Sequence, residues 1–220
     1  MDEELEAAKE GAWRELAAID AAYARGKLDD EGWHAAAAEL VVPAYLAAAT
    51  PEGGSGSSRD TAGWEYARSL LADALRPGQT LLDVGCANGH LMDSLARWAG
   101  VEPFGVDISP ELAQLARERL PRWADRIWVG NALLWTPPRR FDVVRTNLDY
   151  VPRPRRSELV AHLASFCDRL LVGVFNEERE DRRLEDEVAS WGYAVAGRTE
   201  RPHPHPRLAY RAFWIDAAAG

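Results

Sequence analysis

The sequence predicts an α/β fold: a mostly parallel sheet with helices on both faces and a last strand that runs antiparallel. Three observations carry this. Short apolar runs at 80–84, 104–107, 127–129, 141–144 and 170–175 alternate with longer amphipathic stretches, the rhythm of a parallel sheet with crossover helices. The first run, Leu81-Leu82-Asp83-Val84, breaks into a turn bounded by Gly85 and Gly89 and then opens a helix. Two further strand-like runs, 193–198 and 208–215, are joined by a segment too short for a parallel crossover, so they should be antiparallel neighbours.

Taken in order, residues 3–25 predict a helix, with Leu5, Ala8, Ala12, Leu16, Ile19 and Tyr23 on one stripe and Gly26 as its stop. A second helix runs from about Asp30, with Trp33, Ala37, Leu40 and Val41 on one face and an interruption at Pro43. This pair is an α-hairpin outside the sheet: a lid, a dimer contact or simply a cap burying its own stripe. The Gly/Ser-rich stretch after Thr50 has the composition of a flexible linker. The expected division is a helical appendage at 1–50, a linker at 51–60 and the main domain at 61–220.

Trp64, Ala67, Leu71, Ala74 and Leu75 mark a helix ended by Pro77-Gly78, and a further helix is expected at 89–99. Ser109-Pro110 supplies a cap and a first-turn proline for a helix at 110–120. Ser157 is the expected cap of a helix carrying Val160, Leu163 and Cys167, and a charged helix is expected at 178–191.

Bulk properties narrow the class. The 220 residues include nine tryptophans and 47% hydrophobic positions, enough for one α/β core. No apolar run reaches the length of a membrane span, and an acidic N-terminus is the opposite of a secretory leader. Cys86 and Cys167 lack metal-ligand spacing and suggest a reducing compartment, so a cytoplasmic protein without a metal site is the expectation. A formal net charge of −9 disfavours nucleic-acid tracking, although arginines cluster between 139 and 156.

The glycine turn suits a ligand that approaches the backbone closely at a helix start. Asp107 at the tip of the second strand is placed to accept hydrogen bonds from both hydroxyls of a ribose; otherwise it is a helix N-terminal charge. Together, Asp83-Val84-Gly85-Cys86-Ala87-Asn88-Gly89 and Phe104-Gly105-Val106-Asp107-Ile108-Ser109 resemble the first two motifs of the class I S-adenosylmethionine-dependent methyltransferases. Ala87 stands at the middle glycine of that pattern. The resemblance covers about 60–216 and implies a Rossmann-like, seven-stranded sheet.

It further implies that Gly85, Cys86, Ala87 and Gly89 line the methionine part of S-adenosylmethionine, with Asp83 near its amino group. Asp107 would take the ribose hydroxyls, Ile108 would pack on adenine, and Asn131 with Ala132 would contact adenine. Asn147 is counted with these cofactor-facing residues. Asn147 and Tyr150 also share the spacing of the Asn-Pro-Pro-Tyr motif of amino-group methyltransferases, but Leu148 and Asp149 replace both prolines. Asp149 and Tyr150 are the candidate catalytic residues. Asp149 would act as a general base or amine-orienting group, or else as a turn aspartate before Pro152. Arg153 is the candidate for holding an anionic group of the substrate, against a solvated loop. His203 and His205 alternate with prolines and read as a polar hairpin loop.

The expected function is methyl transfer to an O, N or C of a small molecule. An RNA or protein methyltransferase, a nicotinamide oxidoreductase and a non-catalytic cofactor-binding domain are the rivals. A homodimer through the N-terminal helices is the expected assembly.

Overall fold

In a computed structural model, residues 13–55, 60–175, 177–179 and 183–217 are described. Residues 3–12 of the first expected helix, 56–59 of the Gly/Ser stretch and 180–182 of the expected charged helix lie outside them. The helices are α1 (Trp13–Ala24), α2 (Asp30–Leu46), α3 (Thr61–Arg68), α4 (His90–Ala99), α5 (Pro110–Arg119), α6 (Arg156–Ala164) and α7 (Leu184–Ser190). The strands are β1 (Thr80–Val84), β2 (Glu102–Asp107), β3 (Ile127–Val129), β4 (Phe141–Thr146), β5 (Cys167–Val174), β6 (Val195–Pro202) and β7 (Ala209–Asp216).

All seven strands form one sheet in the order β3-β2-β1-β4-β5-β7-β6. β1 to β5 pair in parallel, while β7 runs antiparallel to both β5 and β6. This is the mostly parallel sheet that the β-α rhythm predicts and the Rossmann-like, seven-stranded architecture that the resemblance implies. Strand alternation divides the core in two. Leu81, Val143, Leu171 and Ala212 pack with Trp64, Leu71, Leu91 and Leu95 on one face. Leu82, Val144, Leu170 and Phe213 pack with Leu159, Leu163 and Val188 on the other. Burial on both faces is why these strands read as continuous apolar runs.

Several local expectations are corrected. α2 continues through Pro43, and the Ala47 N–H closes onto the Pro43 carbonyl, so the proline removes one donor without ending the helix. The stretch after Arg68 tightens into a 3-10 segment, Ser69–Ala74. α6 begins at Arg156 with no side-chain cap, so Ser157 lies inside it, and Cys167 starts β5 rather than ending that helix. Of the expected charged helix at 178–191, the described residues form α7, while Glu178 instead bridges to Leu208. The loop between β6 and β7 holds His203 and His205 as expected, with the His203 ring tilted against Tyr210 at 4.6 Å and its Nδ1 accepting from the His205 N–H.

No helix among the described residues is long and apolar enough to cross a membrane.

Candidate functional site

β1 delivers Asp83 and the glycine turn to the carboxyl edge of the sheet, where open α/β sheets collect ligands. Gly85 and Gly89 take φ of +73° and +75°, and Ala87 holds +47°, the described non-glycine residue with positive φ. The turn is tied to β2 through Gly85 N–H and Val106 O at 2.8 Å. Asp107 finishes the tie: Oδ2 accepts from the Ala87 N–H at 2.8 Å and Oδ1 from the Ser109 N–H at 2.9 Å. Burial pushes the Asp107 carboxyl up, and those backbone donors pull it back. Ser109 caps α5 by accepting from the Leu112 N–H.

Upstream residues pack onto the same turn. Asn88 Nδ2 donates to Pro51 O at 2.8 Å, and Glu52 is buried, accepting from the Thr61 hydroxyl. Gly54 lies so close that a Cβ there would sit 2.4 Å from Asn88 Nδ2.

β4 delivers the second group. Arg145 is buried and donates from Nη1 to Asp83 Oδ1 at 3.1 Å, and to Tyr150 Oη at 3.3 Å. Its Nη2 donates to Asn147 Oδ1 at 2.5 Å, and Asn147 Nδ2 donates to Tyr150 Oη at 3.1 Å. The Tyr150 ring lies over Gly85, where a Cβ would meet Cε2 at 2.6 Å. Gly173 on β5 leaves the space that Asn147 fills, since a Cβ there would be 3.0 Å from its Oδ1. Asp83 has no exposed surface, and its Oδ2 has no hydrogen-bond partner among the described residues. Burial pushes its carboxyl up to about 6, with Arg145 restraining the rise. Burial also pushes the Tyr150 phenol up.

A cavity of about 1020 Å³ joins these groups. Asp83, Gly85, Cys86, Ala87, Asp107, Ile108 and Ala132 line one part of it, and Asn147, Asp149, Tyr150 and Arg153 another. Its roof comes from α1 and α2, through Leu16, Asp20, Trp33 and His34 among others. Gly89 does not line it; a Cβ there would meet Leu120 Cδ1 at 2.7 Å, so this glycine serves helix packing. Asn131 lines an adjacent groove of about 710 Å³ with Ile108 and Leu134, and its Oδ1 accepts from the Leu133 N–H. Ile108 and Leu134 are 42% and 76% exposed there, an apolar surface open to a flat ring.

The arginine cluster is internally engaged. Arg153 pairs with Glu187 at 2.8 Å, Arg155 with Asp30 and Glu158, and Arg140 with Asp168. Arg156 donates to Leu148 O at 2.9 Å and lies 3.8 Å from Glu187. Cys86 is buried and burial raises its thiol well up, which keeps it unreactive. Among the described residues no His, Cys, Asp and Glu group is placed to hold a metal ion.

Two residues enter that the sequence did not single out. Arg145 is the hub of the β4 network. His34 on α2 faces the cavity, its Nδ1 2.7 Å from Asp30 O, with a further hydrogen bond to the Tyr150 backbone. Burial lowers the His34 imidazole, favouring its neutral form.

A family model for the methyltransferase domain matches residues 81–169, which span β1 to the start of β5 and hold the glycine turn, Asp107 and Arg145. This stretch of the chain is similar to a methyltransferase domain. The chain is similar to trans-aconitate 2-methyltransferase from Afipia carboxidovorans, at 36% identity over 84 residues, 37% of this chain and 32% of that protein. Ribosomal protein L11 methyltransferase from Burkholderia vietnamiensis is 31% identical over 122 residues, 54% of this chain and 38% of that protein. The chain thus spans about a third of the length of the curated relatives it matches. Among solved structures, the N-methyltransferase NodS from Bradyrhizobium japonicum, in complex with S-adenosyl-L-homocysteine, aligns at a TM-score of 0.59 and 14% identity. That alignment covers 82% of this chain and 97% of NodS, and it shows the fold.

Proposed function

We propose that this chain transfers the methyl group of S-adenosylmethionine to an oxygen or nitrogen of a small-molecule acceptor. One observation carries the reading: a single cavity connects the glycine turn and Asp107 to Asn147, Asp149 and Tyr150 under the helical roof of α1 and α2. The residues present fit the cofactor. Asp83 Oδ2 is a buried acceptor without a partner among the described residues, suited to an amino group. Asp107 has both oxygens oriented by backbone donors, with lone pairs left for ribose hydroxyls. The turn leaves no room for side chains at Gly85, and Ile108 offers an apolar face for adenine.

When bound, the cofactor's sulfonium supplies an electrophilic methyl group. The chain's own task is to orient and to exclude water. Arg145 fixes Asp83, Asn147 and Tyr150 relative to one another, so both ends of the cavity share one rigid unit. α1 and α2 act as the cap, pinned near the β4 tip by His34 and by the Arg155–Asp30 ion pair. Asp149 receives or holds the acceptor's proton. The trans-aconitate relative supports a small acceptor, and the internally engaged arginines weigh against an RNA surface.

Calorimetric titration of the full chain with S-adenosylhomocysteine tests the cofactor site: micromolar 1:1 binding is expected, and no heat at millimolar ligand overturns it. Methyl-labelled cofactor incubated with small amines and phenols, RNA and protein should label the small-molecule fraction. Label in RNA or protein alone overturns the acceptor class, and tight binding without label in any fraction makes the domain a non-catalytic binder.

A further inference from the structure

The walls of the cavity beyond the glycine turn carry an unbalanced charge. Most of its cations are committed. Arg145 is bound to Asp83, Arg153 and Arg156 face Glu187, and the lining Glu177 is taken by Arg211, which lies outside the lining. The Arg68 guanidinium lies on the Phe175 ring, 3.7 Å from its centroid. Two carboxylates remain without an ion pair among the described residues. Asp149 lines the cavity with Oδ1 buried and without a hydrogen-bond partner. Asp20 enters from α1, where its Oδ1 accepts from Trp33 Nε1 at 2.8 Å. The Asp20 charge adds to burial in raising the Asp149 carboxyl, against Arg156 and Arg145. Trp33, Tyr45 and Tyr150 line the same space.

A buried carboxylate oxygen left without a hydrogen-bond donor keeps part of its desolvation cost. A cation supplied by the ligand removes that cost, and aromatic walls favour ammonium further. A carboxylate or phosphate ligand would meet two like charges and find most guanidinium groups engaged.

We infer that the methyl acceptor is an amine, held as its ammonium between Asp149 and Asp20 against the aromatic lining of Trp33, Tyr45 and Tyr150. This rests on the methyl-transfer reading above and narrows it to nitrogen. Asp149 then has a catalytic role. The ammonium passes one proton to the Asp149 carboxylate, which frees the nitrogen lone pair. That pair forms the new N–C bond, the pair of the S–C bond stays with sulfur, and the products are a methylated ammonium and a neutral thioether. Burial raises the Asp149 carboxyl, despite Arg156 and Arg145, which makes it a better proton acceptor.

The test is calorimetry on the full chain saturated with S-adenosylhomocysteine, using three probes of one shape: 2-phenylethylamine, 2-phenylethanol and 3-phenylpropanoate. The amine should bind at least tenfold tighter than the alcohol, and the carboxylate weakest. Asp149→Asn should bring amine and alcohol within about threefold while leaving S-adenosylhomocysteine affinity unchanged. Asp20→Asn, away from the sheet edge, should cost the amine roughly threefold, and it decides the matter if Asp149→Asn does not fold. Equal or tighter binding of the alcohol or carboxylate to the wild-type chain overturns the inference. Failure of S-adenosylhomocysteine itself to bind would instead remove the underlying methyl-transfer reading, and this one with it.

Discussion

At the glycine-turn side of the cavity, the contact surface is mostly main chain. Gly85, Cys86 and Ala87 are consecutive, and Asp107 reaches them from the neighbouring strand. At the β4 side, the surface is side chains drawn from far apart: Asp20 and His34 from the roof, Arg145 to Tyr150 from β4 and its 3-10 turn, Glu187 from α7. A site made of backbone is fixed once strand and turn form, and it tolerates change at few positions. A site made of distant side chains is fixed by packing, and it can be re-cut for a different ligand while the fold stays. The first therefore identifies the family and the second the acceptor.

Arg145 joins the two sides, so removing it is the largest way to break the contrast. Arg145→Met should leave Asp83 buried and unpaired, destabilising the protein by about 3–5 kcal/mol. A melting temperature lowered by on the order of 10 °C is expected; a loss of less than about 1 kcal/mol in urea unfolding would show the sides to be independent. Asp107→Ala strikes the backbone-built side alone. It should weaken S-adenosylhomocysteine binding roughly hundredfold, about 3 kcal/mol, with amine-probe discrimination retained at saturating ligand.

A pH series sharpens the division next. The folded Asp83 value, about 6, lies above the 3.8 of a free carboxyl. The native state therefore holds this proton more tightly than the unfolded chain, so the group favours folding most below about pH 4. That contribution is lost as pH rises through 6. Cofactor binding runs the other way: an ammonium needs the carboxylate, so affinity should rise by up to about tenfold from pH 5 to 7. Asp83→Asn should flatten that rise, and a rise unchanged in the variant would remove the role given to Asp83. The smallest effect is expected at Ala87, held at φ +47°. Ala87→Gly should stabilise the fold by about 0.5–1 kcal/mol, after the glycine's extra unfolded-state entropy. A loss of stability in urea would mean that the alanine methyl is itself a needed contact.

The same contrast explains what could be read in advance. The sheet, its order-defining turn and Asp107 were legible because a strand buried on both faces and a glycine-bounded turn are local patterns. Arg145 left a trace that was passed over as one of a cluster: a charge inside the apolar run Phe141–Thr146 has to be paired. His34 left almost none, since α2 is rich in alanine and its cavity-facing side depends on packing against residues over a hundred positions away. Pro43 looked like a stop because sequence shows the missing N–H but not the helix turns on either side that carry it. Ser157 and Cys167 were displaced by one element boundary, where local propensity is weakest.

β7 is last among the strands in chain order, yet it lies inside the sheet, between β5 and β6. Its residues Tyr210, Ala212, Phe213 and Ile215 are fully or almost fully buried, and they contribute to both halves of the core. During synthesis, then, β5 has an unpaired edge and β6 has no neighbour until residues 209–216 emerge. Such open edges are exposed to wrong pairings. The sheet cannot close progressively from its first strand; it closes when the final hairpin inserts.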